Sequence, residues 1–271
     1  KILSNNPLND LDPESLRRSA KILLYRQNPE LAWIREFKIV TEAMGLVSFY
    51  PNAVQLPLLN AAREQLKRIG KIRQIIFKCR RPGISTYSEG IVGWKTFFFD
   101  NVRSFVLAQD KPTVAKIFGM TDIMYEQISP DVQPERTYYN KGAQMIFANR
   151  SSIDVGEAKN INVGVGTGIH AFHGTEVCRW PYLDPIGESL LPALSKASGT
   201  IRIWESTAHF APGADWFKDQ CERAMAGDGD LEYFFVQWWK MPEYSIRLKR
   251  GEKLKLDTTD RFLVKKYHLP P

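Results

Sequence analysis

The chain has 271 residues, 44% hydrophobic and 25% charged, with a net charge of +7. That size suits one large α/β domain, or one domain with a small appendage, around a real hydrophobic core. No apolar run reaches membrane-spanning length, no signal-peptide core stands at the N-terminus, and Cys79, Cys178 and Cys221 lack both metal-ligand spacing and the even number of a closed disulfide set.

The basic balance permits a polyanionic partner without requiring one. The chain starts at Lys1 and ends at Leu269-Pro270-Pro271, and both ends read as cuts within a longer protein.

Asp12-Pro13-Glu14 reads as a helix start, with Leu16, Ala20, Leu23 and Leu24 on one face. Asn28-Pro29 breaks that helix. Leu31 to Phe37 is a second helical or mixed segment, leading to the apolar Ile39-Val40. Phe49-Tyr50-Pro51-Asn52-Ala53-Val54-Gln55 introduces a third helix, Leu56 to Lys67, stopped by Gly70.

Ile75-Ile76-Phe77 is long enough for a buried strand. The chain then turns through Pro82-Gly83 into a helix from Ser85 to Phe99, with Ile91, Val92, Trp94 and Phe98 inward. Ser104 to Ala108 is a strand, and Val114 to Gln127 a helix. Such alternation predicts βαβ units and a mainly parallel sheet.

Pro130 to Pro134 is a loop. Gln144 to Ala148 and Ser152 to Val155 are short strands joined by a hairpin-like turn. Gly164, Gly166 and Gly168 mark a flexible loop. The strand Ile169 to His173 follows, with Gly174-Thr175-Glu176 at its carboxyl end. Ile186 to Leu194 is a helix, and Thr200 to Trp204 a strand that runs into Glu205-Ser206-Thr207-Ala208. Phe217 to Met225 is a helix, Glu232 to Trp239 an aromatic strand, and Thr258 to Tyr267 a closing helix.

Chemistry concentrates in four places. A strand, a tight turn carrying Lys78, Arg80 and Arg81, and a helix N-terminus read either as an ordinary strand–turn with solvated basic residues or as an anion site, because amides and macrodipole both favour negative charge there. Against the phosphate-loop pattern G-x-x-x-x-G-K-[ST], only Gly83 and Ser85 fit. Lys78 occupies the first glycine position, and Ile84 that of the lysine. Upstream, the Gln55 amide has the donor and the acceptor that an adenine edge needs.

Glu176 follows a strand, where ligands bind in open parallel sheets, and a carboxylate there orients or deprotonates a water attacking a γ-phosphate. An acid in that position also serves simply to start a helix. Ser206 and Thr207 end the next strand, where small hydroxyls sense a γ-phosphate or merely cap a turn.

The order and placement of these stretches resemble the ATPase domain of the large terminase subunit of tailed bacteriophages, the DNA-packaging motor. Residues 49–55 look like the family's adenine-glutamine motif, 78–86 like its deviant Walker A, 172–181 like a Ser/Thr-Glu form of Walker B, and 205–208 like its coupling motif. The similarity runs over roughly residues 25–245 and implies an α/β phosphate-loop core with a mainly parallel sheet flanked by helices.

The resemblance implies roles. Gln55 reads adenine. The loop from Lys78 through Arg80, Arg81, Pro82, Gly83 and Ile84 to Ser85 and Thr86 cradles the phosphates of ATP. Ser85, or alternatively Thr86, helps hold Mg²⁺. Lys78 or Arg80 replaces the lysine absent at Ile84, Glu176 activates water with Arg80 as a catalytic cation, and Ser206-Thr207 couples γ-phosphate loss to movement.

Two features depart from the family. Thr175 stands where the acidic strand has Asp, and the loop 162–168 lacks the arginine found in relatives. A trans-acting arginine would come from elsewhere, with Arg150 and Arg179 as candidates.

The resemblance further implies double-stranded DNA, a portal protein and a small terminase subunit as partners, a homo-oligomeric ring during packaging, a monomer in isolation, no membrane, and the cytoplasm of the infected host. The expected divisions are a helical extension over 1–48, an ATPase core over 49–230 and a lid or linker over 231–271. The family's C-terminal nuclease domain has no room after residue 245. Two other readings use the same residues. One is a degenerate phosphate-loop fold that binds DNA or a capsid partner without catalysis. The other is a helicase-like ATPase, against which the missing Asp-Glu pair and GK[ST] both count.

Overall fold

A computed structural model describes residues 12–160, 168–181, 183–241, 244, 249 and 254–268, without the side chains of 184, 185 and 187. The chain opens with α1 (Pro13–Gln27) and α2 (Pro29–Glu36). Asp12 and Asn28 cap them by accepting from the amides of Ser15 and Leu31, and each helix has proline in its first turn. A small antiparallel pair, β1 (Lys38–Thr41) and β2 (Gly45–Ser48), precedes α3 (Gln55–Ile69).

The core then runs β3 (Ile72–Lys78), α4 (Ile84–Phe98), β4 (Arg103–Ala108), α5 (Lys111–Glu126), β5 (Arg136–Asn140), β6 (Gln144–Phe147), β7 (Ser152–Glu157), β8 (Ala171–Thr175), α6 (Leu183–Ala193), β9 (Ile201–Ser206), α7 (Gly213–Met225) and β10 (Glu232–Val236). The last helix is α8 (Thr258–Tyr267).

Among the described residues one eight-stranded sheet has the order β10-β3-β9-β8-β4-β7-β6-β5. The first six pair in parallel, and β5 and β6 add antiparallel strands at one edge. The expected mainly parallel α/β architecture is observed. Helices cover both faces, so central strands are buried on both sides and read as continuous apolar runs. Ile76, Val106 and Ile203 pack with residues of α1 to α5, while Ile75, Leu107, Phe172 and Trp204 pack with α6 and α7.

The N-terminal helices are integral to the first layer. Trp33 is fully buried, stacks on Phe49 at 4.6 Å between ring centroids, and donates from its indole to Gly90 O at 2.9 Å. Gly90 permits this approach, since a Cβ there would lie 2.9 Å from the Trp33 ring.

Several boundaries differ from the sequence expectation. β8 starts at Ala171 and runs to Thr175, while Ile169 makes only an isolated bridge to Leu194. β5 carries no apolar alternation, being mostly exposed, and its pairing to β6 alone makes it a strand. The aromatic strand ends at Val236, and Trp238–Lys240 form a 3-10 turn. The expected lid boundary at 231 falls beside β10, which is hydrogen-bonded in register with β3 and so belongs to the core sheet. The glycine-rich loop lies outside the described residues from 161 to 167, as do 242–243, 245–248, 250–253 and 269–271 of the C-terminal part.

Candidate active site

The carboxyl ends of β3, β9 and β8 lie side by side, because β9 inserts between the other two. β3 ends at Lys78, and α4 starts at Ile84. The turn between them holds two left-handed residues, Arg81 at φ 55° and Gly83 at φ 78°. Glycine is required at the second. A Cβ on Gly83 would sit 2.7 Å from Gln55 Nε2. No side chain caps α4, and the amides of Ile84, Ser85 and Thr86 lack intrahelical acceptors, which leaves them available to an anion.

The segment before α3 braces this turn. Gln55 is buried and its amide is used at both ends. Its Oε1 accepts from Asn52 N at 3.0 Å, and its Nε2 donates to Gly83 O at 2.7 Å. Asn52 Nδ2 also donates to Pro82 O at 3.2 Å. The residue assigned to adenine thus ties its own loop to the phosphate loop.

Lys78 is the centre of the site. Its Nζ donates to Glu176 Oε1 at 2.8 Å and lies 3.0 Å from Glu205 Oε2. Burial opposes its charge, but Glu205 and Glu176 outweigh that effect and raise its pKa. Glu176 follows β8 directly, in a left-handed conformation at φ 53°, and its side chain is 20% exposed. Thr207 Oγ1 donates to Glu176 Oε2 at 2.8 Å, and Arg179 Nε stands 3.7 Å from the same oxygen. Ser206 faces away from this carboxylate. It accepts from Cys178 N at 3.0 Å and donates to Thr207 O at 2.9 Å.

Glu205, the penultimate residue of β9, is fully buried. Its Oε1 accepts from Ser85 Oγ at 2.8 Å and from Thr175 Oγ1 at 2.5 Å. Its Oε2 makes no hydrogen bond beyond the ion pair to Lys78. Burial alone would raise its pKa; the charges of Lys78 and His173, with hydrogen bonds, hold it down to about 2.

His173 in β8 is also fully buried, with Nδ1 2.6 Å from Glu89 Oε1 and Nε2 3.5 Å from Glu205 Oε1. The longer contact is an ion pair rather than a hydrogen bond. Burial disfavours the imidazolium, but the two acids raise its pKa to about 9. Thr121 of α5 donates to the other oxygen of Glu89. A line of groups thus runs from α5 through α4, β8 and β9 to the phosphate turn.

The structure brings together Gln55, Lys78, Pro82, Gly83, Ile84, Ser85, Glu176 and Thr207 of the expected site. Thr86 is partly exposed in the first turn of α4. Arg80 is exposed, with its carbonyl accepting from the Tyr244 hydroxyl, and Arg81 is exposed and pairs with Glu42 at 3.4 Å. Arg179 reaches Glu176 within the same chain. Arg150 lies between β6 and β7, at the opposite end of the parallel strands.

Sequence reasoning missed Glu205, His173 and Glu89 as site residues. The one available signal was an acid closing the apolar run of β9. A cavity of about 490 Å³, lined by Arg26, Lys95 and His170 among others, opens at the amino ends of the strands, remote from these groups.

The donor set suits Mg²⁺. The hydroxyls of Ser85 and Thr175 and the carboxylates of Glu205 and Glu176 are hard oxygens, and one Glu205 oxygen is free of hydrogen bonds. Mg²⁺ is held by one or two protein oxygens plus phosphate and water rather than by a closed cage.

No protein-family model matches the sequence, and no curated protein matches it. Solved structures do. The ATPase domain of the Thermus phage P74-26 large terminase aligns with a TM-score of 0.53 and 14% identity, over 71% of this chain and 83% of that one. The large terminase of bacteriophage HK97 gives 0.60 and 16%, over 83% of this chain and 46% of that one. The large terminase of a thermophilic bacteriophage, solved in complex with ATP-gamma-S, gives 0.50 and 13%, over 71% and 46%. The chain therefore spans about half the length of the last two proteins, and its fold is that of a phage large-terminase ATPase domain.

Proposed function

We propose that the chain is the ATP-hydrolysing motor domain of a viral DNA-packaging terminase. The observation that carries this reading is Lys78, held between Glu176 and Glu205 where the uncapped N-terminus of α4 meets the ends of β8 and β9. A cation, a water-activating carboxylate and free amides converging at strand ends are what phosphoryl transfer to water needs.

Phosphates dock on the amides of Ile84, Ser85 and Thr86, with Arg80 and Arg81 adding positive charge from the exposed side of the turn. Lys78 takes the place of the lysine missing at Ile84 and exchanges a carboxylate for phosphate oxygens. Its departure frees Glu176 to orient and deprotonate the attacking water. Thr207, bonded to Glu176, registers whether the γ-phosphate is present and passes that state to the end of β9. Mg²⁺, held with Ser85, neutralises charge developing on the phosphates when bound. Gln55 braces the phosphate turn from the adenine side.

The large terminase of the thermophilic phage holds ATP-gamma-S in its structure, which supports ATP as the nucleotide. Double-stranded DNA, a portal protein, a small terminase subunit and a homo-oligomeric ring complete the proposed setting, in the cytoplasm of an infected bacterium. No helix among the described residues is long and apolar enough to cross a membrane. Residues 13–48 act as part of the motor core, and the segment after β10 as its lid or linker.

The test is titration with a non-hydrolysable ATP analogue and Mg²⁺, comparing wild type with Lys78→Ala and Arg80→Ala. Micromolar binding that Lys78→Ala weakens at least tenfold supports the reading, tenfold being about 1.4 kcal/mol. Absence of binding to the folded wild-type chain overturns it in favour of the non-catalytic module.

A further inference from the structure

We infer that Glu205 is the metal-side carboxylate of this site, a positioning residue that aims Ser85 at Mg²⁺ in place of an acid on β8. The inference rests on the nucleotide-binding reading above. In phosphate-loop enzymes the hydroxyl residue after the loop and an acid on the acidic strand hold Mg²⁺. Here the residue before Glu176 is Thr175, which carries no charge. Thr175 and Glu205 are register partners on adjacent parallel strands. Thr175 Oγ1 donates to Glu205 Oε1 at 2.5 Å, and Ser85 Oγ donates to that same oxygen at 2.8 Å. One carboxylate oxygen thus stands beside Thr175 on β8, in contact with the Ser85 hydroxyl that would meet the metal.

Glu205 is not a by-product of core packing. A fully buried carboxylate is costly unless donors and opposite charge surround it; Ser85 and Thr175 donate to Glu205, and Lys78 and His173 pair with it. His173 is held in turn by Glu89 on α4, the helix that carries Ser85. The phosphate-loop helix is therefore tied twice to the end of β9, once at its first turn and once in its middle.

The test measures how much Mg²⁺ tightens binding of a non-hydrolysable ATP analogue, with no turnover in the readout. Glu205→Gln is expected to lose about tenfold of the Mg²⁺-dependent gain, read as the ratio of its own affinities with and without metal, the worth of one charge-assisted hydrogen bond. Adding Thr175→Asp to Glu205→Gln returns a carboxylate to the site and is expected to restore that gain, which a merely structural role would not allow.

If Glu205→Gln does not fold, Glu205→Asp keeps the negative charge but draws it back from Ser85, and loss of the gain there supports the proposal equally. An undiminished Mg²⁺ gain in a folded Glu205→Gln or Glu205→Asp overturns the role of Glu205 alone. Failure of wild type to bind the analogue with or without metal overturns the nucleotide reading itself, and the inference with it.

Discussion

Lys78 and Glu205 form an ion pair of 3.0 Å across the β3–β9 boundary, and both side chains are buried. Removing one partner leaves the other buried with less of its charge offset. Lys78→Ala is expected to destabilise the fold by about 3 kcal/mol, the range for breaking a buried pair. It should also weaken nucleotide binding. Chemical denaturation and analogue titration measure the two losses separately, and an unchanged unfolding midpoint would count against the buried pairing.

Glu176 accepts from Lys78 and Thr207 without being needed by the core, since its side chain remains partly exposed. Glu176→Gln should therefore fold and bind nucleotide while ATP turnover falls ~100-fold or more, as for loss of a general base. Phosphate-release kinetics alongside analogue binding check this. Retained turnover would remove Glu176 from the chemistry.

The His173–Glu205 pair gives a pH signature. The pKa of His173 is raised from 6.5 to about 9, so its contribution to stability is complete below pH 6.5 and is lost as pH rises through 9. The pKa of Glu205 is lowered from 4.5 to about 2, so its contribution is complete above pH 4.5 and is lost as pH falls through 2. Both act fully between those inner limits. Thermal melts of wild type should decline from pH 6.5 to 9 more steeply than those of His173→Gln. Parallel declines would mean that His173 is neutral in the folded chain.

Gly83 is pinned by φ 78° and by the proximity of Gln55. Gly83→Ala should cost about 1–2 kcal/mol from the left-handed backbone alone, with further displacement of the Gln55 amide. Analogue affinity should fall in Gly83→Ala, and Gln55→Ala should relieve the clash but not the backbone strain. A double-mutant comparison by melting and titration separates the two effects.

The N-terminal helices are expected to be inseparable from the core. Trp33→Ala empties a fully buried site against Phe49 and Gly90 and should cost about 3–5 kcal/mol. Denaturant unfolding measures it. A loss below about 1 kcal/mol, typical of surface positions, would mark residues 13–36 as a loosely attached extension.

Local chemistry made much of this molecule legible in its sequence. Asp12-Pro13 announces a helix start, Asn28-Pro29 a helix break, Gly70 a helix end, and Ile75-Ile76-Phe77 a buried strand. Each of these signals acts within a few residues. The phosphate turn was legible for the same reason, because Lys78, Pro82, Gly83 and Ser85 lie along one short stretch. β5 was not legible, since its mostly exposed side chains carry no period and only its pairing to β6 makes it a strand.

The site's inner half depended on strand order. Glu205 reads as an ordinary acid at a strand end until β9 inserts between β3 and β8. That crossover sets Lys78 on one side of it and Thr175 and His173 on the other. Sequence patterns report which face of an element is buried, but which strands become neighbours is decided by the packing of distant segments. A buried carboxylate acquires its donors, its pKa and its role only once those neighbours are in place.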